Sequence, residues 1–327
     1  MGTFSTTAGP AASRVRILFR RLRNGDEIAH VVTMIFAASI LLVTATLVYE
    51  LWTHSAITRT QFGWKFFVTS TWDPINGVFG AWPYIYGTLV TTAIALVIAV
   101  PLGLGAAIFL SELAPPRISS SLSFVIDLLA AVPSVIYGVL AVFTLEPLMR
   151  STIQPFLKRT LGFLPLFQGP AYGFGLLTAG IVLAIMVVPF IISVSREVLM
   201  AVPQDQREAS LGLGATRWET TYKVVVGYAR TGILGSIFLS MARALGETMA
   251  VTMVIGNVPK VSASLFSPGY SIAAVIANEF AEASAGLHLS ALIELGLVLF
   301  LLTFILNGLA RVMIIATSRR GAGTGRA

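Results

Sequence analysis

Six stretches of this chain, about residues 28–51, 85–110, 122–149, 172–194, 231–257 and 288–315, are each long and apolar enough to cross a bilayer. Inside hydrocarbon every backbone N–H and C=O must find its partner within the protein, so such stretches fold as helices. An all-α integral membrane protein with six transmembrane helices is therefore expected. Only 11% of the residues are charged and 56% are hydrophobic, whereas soluble domains carry roughly a quarter charged residues. Basic residues precede the first stretch as they would a signal peptide. Its apolar core, however, is about twice the length of a signal h-region, and no small-residue cleavage site follows Leu47-Val-Tyr-Glu-Leu51. It reads as a retained helix.

Lys and Arg collect on the cytoplasmic side of membrane proteins, so their distribution sets the orientation. With the N-terminus inside, the inner segments hold fifteen: Arg14, Arg16, Arg20, Arg21, Arg23, Arg117, Arg196, Arg207, Arg217, Lys223, Arg230, Arg311, Arg319, Arg320 and Arg326. The outer segments hold six: Arg59, Lys65, Arg150, Lys158, Arg159 and Lys260. A multi-pass protein of the cell membrane with both termini in the cytoplasm is expected, organised as a basic tail 1–27, a transmembrane domain 28–315 and a short tail 316–327. Topology explains the net charge of +7, and no nucleic acid need be invoked. Cysteine is absent, which removes disulfides and thiolate metal sites. His30, His54 and His288 are scattered singly, so no metal or other cofactor is expected.

Against this apolar background Arg243 and Glu247 stand four residues apart in the fifth stretch, a spacing that puts both on one face of a helix. A charge at mid-bilayer costs roughly 2.5 to 3.5 kcal/mol even on the lowest scale, so such residues face a bundle interior and mark a substrate path. The structural alternative is a salt bridge that lets a polar helix pack. Asp127, Glu146 and Glu294 also fall in apolar stretches but carry no site assignment. Pro101, Pro133 and Pro189 lie in or near spans and shape helices. The aromatic-rich segment from Phe62 through Trp72 to Tyr84 reads as an interfacial belt, with a docking surface as the alternative.

The connection 195–230 is the longest polar segment between spans and reads as two short helices. Pro203 suits an opening position, and Gly214 supplies the left-handed residue that ends the first helix. Thr216 and Glu219 form a capping box that starts the second. Such a hairpin is an exposed docking element.

Glu208-Ala209-Ser210-Leu-Gly-Leu-Gly214 matches the EAA-x3-G loop of binding-protein-dependent ABC importer permeases, although Val226-Gly227 replaces the Leu-Pro that often closes that motif. Pro101-Leu-Gly-Leu-Gly105 with Ser111-Glu112, Ala130-Ala-Val-Pro133-Ser134-Val-Ile-Tyr137-Gly138, Val188-Pro189-Phe190 with Ser195-Arg196-Glu197, and Arg243-Ala-Leu-Gly-Glu247-Thr-Met-Ala-Val251 narrow the likeness. Over most of residues 25 to 315 the chain resembles the PstC-type permease family of the phosphate ABC importer. The resemblance implies the type I ABC importer permease fold with a cytoplasmic coupling helix made from Arg207, Glu208, Ala209, Ser210 and Gly214. It also implies a PstA-like second permease, two PstB-like ATPase subunits, a PstS-like extracytoplasmic phosphate-binding protein and inorganic phosphate as substrate.

An Arg fork matches two phosphate oxygens and stays charged at any relevant pH. Glu247 either neutralises Arg243 when the path is empty or accepts a hydrogen bond from the P–OH that sulfate lacks. No Gly-x4-Gly-Lys-Ser/Thr phosphate loop is present, so ATP hydrolysis is expected in a partner subunit. A permease for molybdate or sulfate would share the coupling loop but not the Arg-Ala-Leu-Gly-Glu-Thr order. A secondary transporter would show paired interrupted helices in inverted halves, and a scaffold or sensor is a third class.

The basic asymmetry predicts that, of single cysteines placed at Ser70, Ser210 and Ser267 in the cysteine-free chain, those at 70 and 267 react with an impermeant thiol reagent from outside the cell. Labelling of Ser210→Cys from outside would reverse the topology.

Overall fold

The computed structural model describes residues 26–284 and 286–323. The tail carrying Arg14, Arg16, Arg20, Arg21 and Arg23 lies outside the described residues, as does Arg326. The chain divides into two units, Met1–His54 and Ser55–Ala327. In the first unit α1, Asp26–His54, is one helix, which takes Asp26 and Glu27 from the expected tail. Its hydroxyls satisfy themselves: Thr33, Thr44 and Thr46 each donate to the carbonyl four residues back, so the helix has no need of water for them.

The second unit begins with α2, Ala56–Phe62, and α3, Lys65–Val68. The long helix α4, Trp82–Leu113, follows, then α5, Pro116–Ala130, and α6, Ser134–Leu161. Next come α7, Leu176–Met200, and α8, Gln204–Gly212. The remainder is α9, Arg217–Leu245, α10, Met249–Val254, α11, Ile272–Glu279, and α12, Leu287–Gly323. Among the described residues six helices are long and apolar enough to span a membrane, and the only β pairing is an isolated bridge between Asp73 and Val78.

Helix α7 is the centre of this unit. It packs along the length of α4 and also touches α5, α9 and α10. Small residues allow this closeness, since lipid gives helices no hydrophobic reason to associate and contact must come from fit. A Cβ added at Gly180 would lie 2.5 Å from Ile94, and one at Gly103 would lie 2.6 Å from Ile191. Ala95, Ala99, Ala179 and Ala184 complete the seam, all buried.

Several expected boundaries move. The third stretch, expected at 122–149, is two helices broken at 131–133, because Pro133 lacks an N–H and disfavours the α conformation in the residue before it. Pro101 and Pro189, by contrast, sit inside unbroken helices. The fifth stretch starts earlier and ends earlier than 231–257: the capping box at Thr216 opens α9 itself, which passes through a π turn at Thr220–Val225. The expected hairpin of two short helices is therefore one short helix, α8, leading into a span. Residues 316–323 of the expected tail continue α12.

Most of the 62–84 aromatics pack into a core. Phe66, Phe79 and Tyr84 are buried. The Trp72 ring meets Phe79 and Tyr84 edge-on at 4.8 and 5.0 Å. Its Nε1–H donates to Glu279 Oε2 at 3.0 Å, an oxygen that His288 Nε2 also approaches at 3.1 Å. Trp64 and Trp82 remain exposed. In α12 the buried Glu294 lies 3.7 Å from Arg59, and the Thr58 N–H donates to Ser290 Oγ at 3.2 Å, which seats α2 on that helix.

Close approach also fixes α4 to the segment before α11. A Cβ at Gly87 would fall 2.1 Å from the Tyr270 carbonyl oxygen, whereas one at Gly105 meets nothing within 4 Å. Gly87→Ala is expected to destabilise the protein by roughly 1 to 3 kcal/mol. Thermal unfolding in detergent checks it: Gly87→Ala lowers Tm and Gly105→Ala does not.

Candidate functional site

The helix expected to carry both Arg243 and Glu247 ends between them. Helix α9 stops at Leu245, Gly246 caps it, and α10 begins at Met249. Glycine weakens the helix at that point, and the next carboxylate competes for local backbone: Glu247 Oε1 accepts from the Ala250 N–H at 3.3 Å. The two charges consequently do not share a helix face, and no ion pair joins them among the described residues. The salt-bridge alternative loses its geometry.

Arg243 is exposed. Its guanidinium carbon sits 5.4 Å from the centroid of the Phe190 ring on α7, a cation–π arrangement that holds the fork without neutralising it. Beside α10 stands α6, where a Cβ at Gly138 would be 2.6 Å from Met253 Sδ, and Tyr137 on the same helix donates its hydroxyl to the Leu129 carbonyl at 2.7 Å. An uncompensated guanidinium in an apolar helix must face water, an anion or another subunit. Chemically it can grip an oxyanion through two parallel hydrogen bonds.

The second cluster is α8. Pro203 is its N-cap rather than its first residue. At the other end Gly214 has φ +88, its N–H donates to Leu211 O at 3.0 Å, and the Ala215 N–H donates to Ser210 O at 3.2 Å. This pair of bonds is the Schellman motif, and it requires the left-handed residue. The capping box also forms: Glu219 N–H donates to Thr216 Oγ1 at 3.2 Å and Thr216 N–H to Glu219 Oε2 at 3.0 Å.

The five residues expected in the coupling helix divide by role. Arg207 turns inward and clamps the helix. Its Nη2 and Nε donate to the two carboxylate oxygens of Glu112 at 2.8 and 3.2 Å. Nη2 also reaches the Leu199 carbonyl at 2.9 Å, and Nη1 the Val202 carbonyl. Ser210 Oγ lies 3.0 Å from Thr220 Oγ1 on α9. Glu208, Ala209 and Gly214 face outward with Leu211, Leu213 and Trp218, Leu213 being 90% exposed. Glu112 was visible in the sequence only as part of a motif; its role as the anchor of Arg207 needs the contact across 95 residues. Phe190 and Tyr137 were likewise present in matching segments with no position assigned.

The family model for the binding-protein-dependent transport system inner membrane component matches residues 99–315. The chain is 44% identical over 305 residues to the phosphate transport system permease protein PstC of Mesorhizobium japonicum, covering 92% of this chain and 93% of that protein. It is 48% identical over 286 residues to the Haemophilus influenzae protein of the same name, covering 86% and 90%. Among solved structures it is similar to a chain from an inward-facing form of the MetNI methionine ABC transporter, with TM-score 0.52 and 18% identity over 72% of this chain and 96% of that one. That likeness is one of fold.

The clamp predicts that Arg207→Ala loosens α8 without unfolding the spans. Hydrogen exchange should show faster exchange of the 204–212 amides and unchanged protection in α7. Equal protection of α8 in both proteins would remove Arg207 from this role.

Proposed function

The chain belongs to the family of binding-protein-dependent transport system inner membrane components, and from that membership we propose that it is the membrane-spanning permease subunit of an ATP-driven importer of inorganic phosphate, built on the type I ABC importer permease fold. The reading places both termini and α8 in the cytoplasm, in line with the basic asymmetry. The partners are a PstA-like second permease that completes the path, two PstB-like ATPase subunits, and a PstS-like extracytoplasmic phosphate-binding protein. The chain itself does no covalent chemistry; its work is to offer a path and to transmit the ATPase cycle.

The observation that carries this reading is the exposed, uncompensated guanidinium of Arg243 at a helix break, on a chain that also presents a rigidly capped α8. Arg243 takes two oxygens of the anion as it passes. Glu247, with one carboxylate oxygen committed to the start of α10, holds the break open and offers its other oxygen to the P–OH. That favours acceptor over counter-ion for Glu247.

Helix α8 and its C-cap, with Glu208, Leu211 and Leu213 exposed, is the surface that seats on an ATPase subunit. Arg207 and Glu112 make it rigid against α4 and α7, so a displacement of α8 moves the spans. Gly214 sets the exit angle into α9.

Three variants of the reconstituted importer test this. Arg243→Gln should strongly lower phosphate uptake while the complex assembles and binds ATP. Arg243→Leu with Glu247→Leu should be no better than Arg243→Gln, since the two charges do not form a pair to be restored. Wild-type uptake in that double variant, at equal membrane abundance, would remove both residues from the path. Gly214→Val, strained by roughly 1 to 3 kcal/mol, should abolish the stimulation of ATPase activity by the binding protein. Uptake of sulfate or molybdate in place of phosphate by the wild-type importer would assign the permease to another oxyanion.

A further inference from the structure

Helix α7 has one aromatic residue, Phe190, and that ring takes no part in the core. It lies fourteen residues after Leu176 and ten before Met200, near the middle of the helix. Both of its neighbours, Pro189 and Ile191, are buried, and Ile191 is seated so closely on α4 that a Cβ at Gly103 would lie 2.6 Å from it. Phe190 itself is only half-buried. Among the described residues it joins none of the four apolar clusters and makes no ring–ring contact. Its backbone is therefore fixed by the α4–α7 seam while its side chain is left over from the packing.

What the ring does meet is Arg243, whose guanidinium carbon stands 5.4 Å from its centroid, inside the range of a cation–π contact. A ring at mid-helix brings that charge toward the bilayer centre, where lack of compensation costs most. Arg243 sits in the last turn of α9, where the helix dipole favours a cation. Gly246 ends the helix three residues on, so the dipole attracts the charge without directing the side chain. A carboxylate in the ring's place would take the fork's donors and cancel its charge. A ring face attracts the cation through its quadrupole and leaves the charge in being.

We propose that Phe190 is the positioning residue for Arg243: its ring, fixed by the α4–α7 seam, holds the guanidinium at the helix break by attraction to its charge. The inference rests on the reading of Arg243 as the anion contact and adds the residue on which that contact depends. Its consequence is electronic. A ring that merely fills space works with any ring of the same shape, whereas a ring that attracts a cation weakens as its electrons are withdrawn. Phosphate transport therefore depends on the electron density of the Phe190 ring as well as on its size.

Phosphate uptake by the reconstituted importer, at saturating phosphate and binding protein and at equal membrane abundance, decides it. Phe190 is replaced in turn by mono-, di- and trifluorophenylalanine, which keep the ring's shape and weaken its attraction for a cation stepwise. Uptake should fall with each fluorine, to about one tenth with three, while assembly and Tm stay unchanged. A tenfold loss corresponds to about 1.4 kcal/mol, within what a desolvated cation–π contact supplies. Phe190→Leu, which removes the ring, should fall at least as far. The same fluorine series at Phe66, a buried ring of another cluster, should leave uptake unchanged. Uptake that ignores all three fluorines at Phe190, while Arg243→Gln still silences the importer, would overturn this role and leave the anion contact standing. An equal decline in the Phe66 series, or one that follows a falling Tm, would reduce Phe190 to packing and overturn it likewise. Wild-type uptake by Arg243→Gln would remove the anion contact and this role with it.

Discussion

Close approach of α4 and α7 is the constraint on which the rest of the structure rests. In hydrocarbon the helices gain nothing by hiding apolar surface from one another, so their association depends on fit. Gly103 receives Ile191 and Gly180 receives Ile94. Each contact replaces a side chain by the flank of a neighbouring helix, and α7 is thereby buried on most of its surface. Both elements of the proposed function hang from that pair. Phe190 on α7 supports Arg243, and the ends of α4 and α7 present Glu112 and the Leu199 carbonyl to Arg207.

Polar groups are answered in two ways. Some answer themselves locally, as the threonines of α1 and the capping box of α9 do. Others depend on residues distant in the chain: Glu294 with Arg59, Glu279 with Trp72 and His288, Arg207 with Glu112. Arg243 is different, since an aromatic face steadies it and leaves its charge free.

The α8 region shows how rigidity and exposure can coexist in nine residues. Its inward side is fixed by a bidentate ion pair and its C-terminal end by the Schellman bonds, so Glu208 and Leu211, and Leu213 just beyond the helix, are displayed on a firm support. A flexible loop bearing the same residues would absorb a push instead of passing it to α4, α7 and α9. The coupling reading draws its physical content from that stiffness.

Hydropathy made four of the six spans legible to within a few residues, and the caps of α8 and α9 were legible because the Schellman turn and capping box involve residues three to five apart. Proline was not. Pro101, Pro133 and Pro189 look alike in sequence, yet only Pro133 breaks its helix. Gly103 meets Ile191 two residues beyond each of the other two prolines, so both helices run in close contact past them, whereas at Pro133 the chain breaks between α5 and α6. The Arg243 and Glu247 spacing misled for a related reason. Periodicity assumes the helix continues, and Gly246 together with the Glu247–Ala250 contact ends it. Aromatic content suggested a surface where Trp72, Phe79 and Tyr84 in fact build a core, because composition does not say which ring faces another. The sequence by itself determined the number of spans, the local caps and which residue types carry charge into the membrane, all of which depend on neighbours along the chain. Only the tertiary structure decided which of those charges are matched, since a partner such as Glu112 for Arg207 stands 95 residues away and is brought near by packing alone.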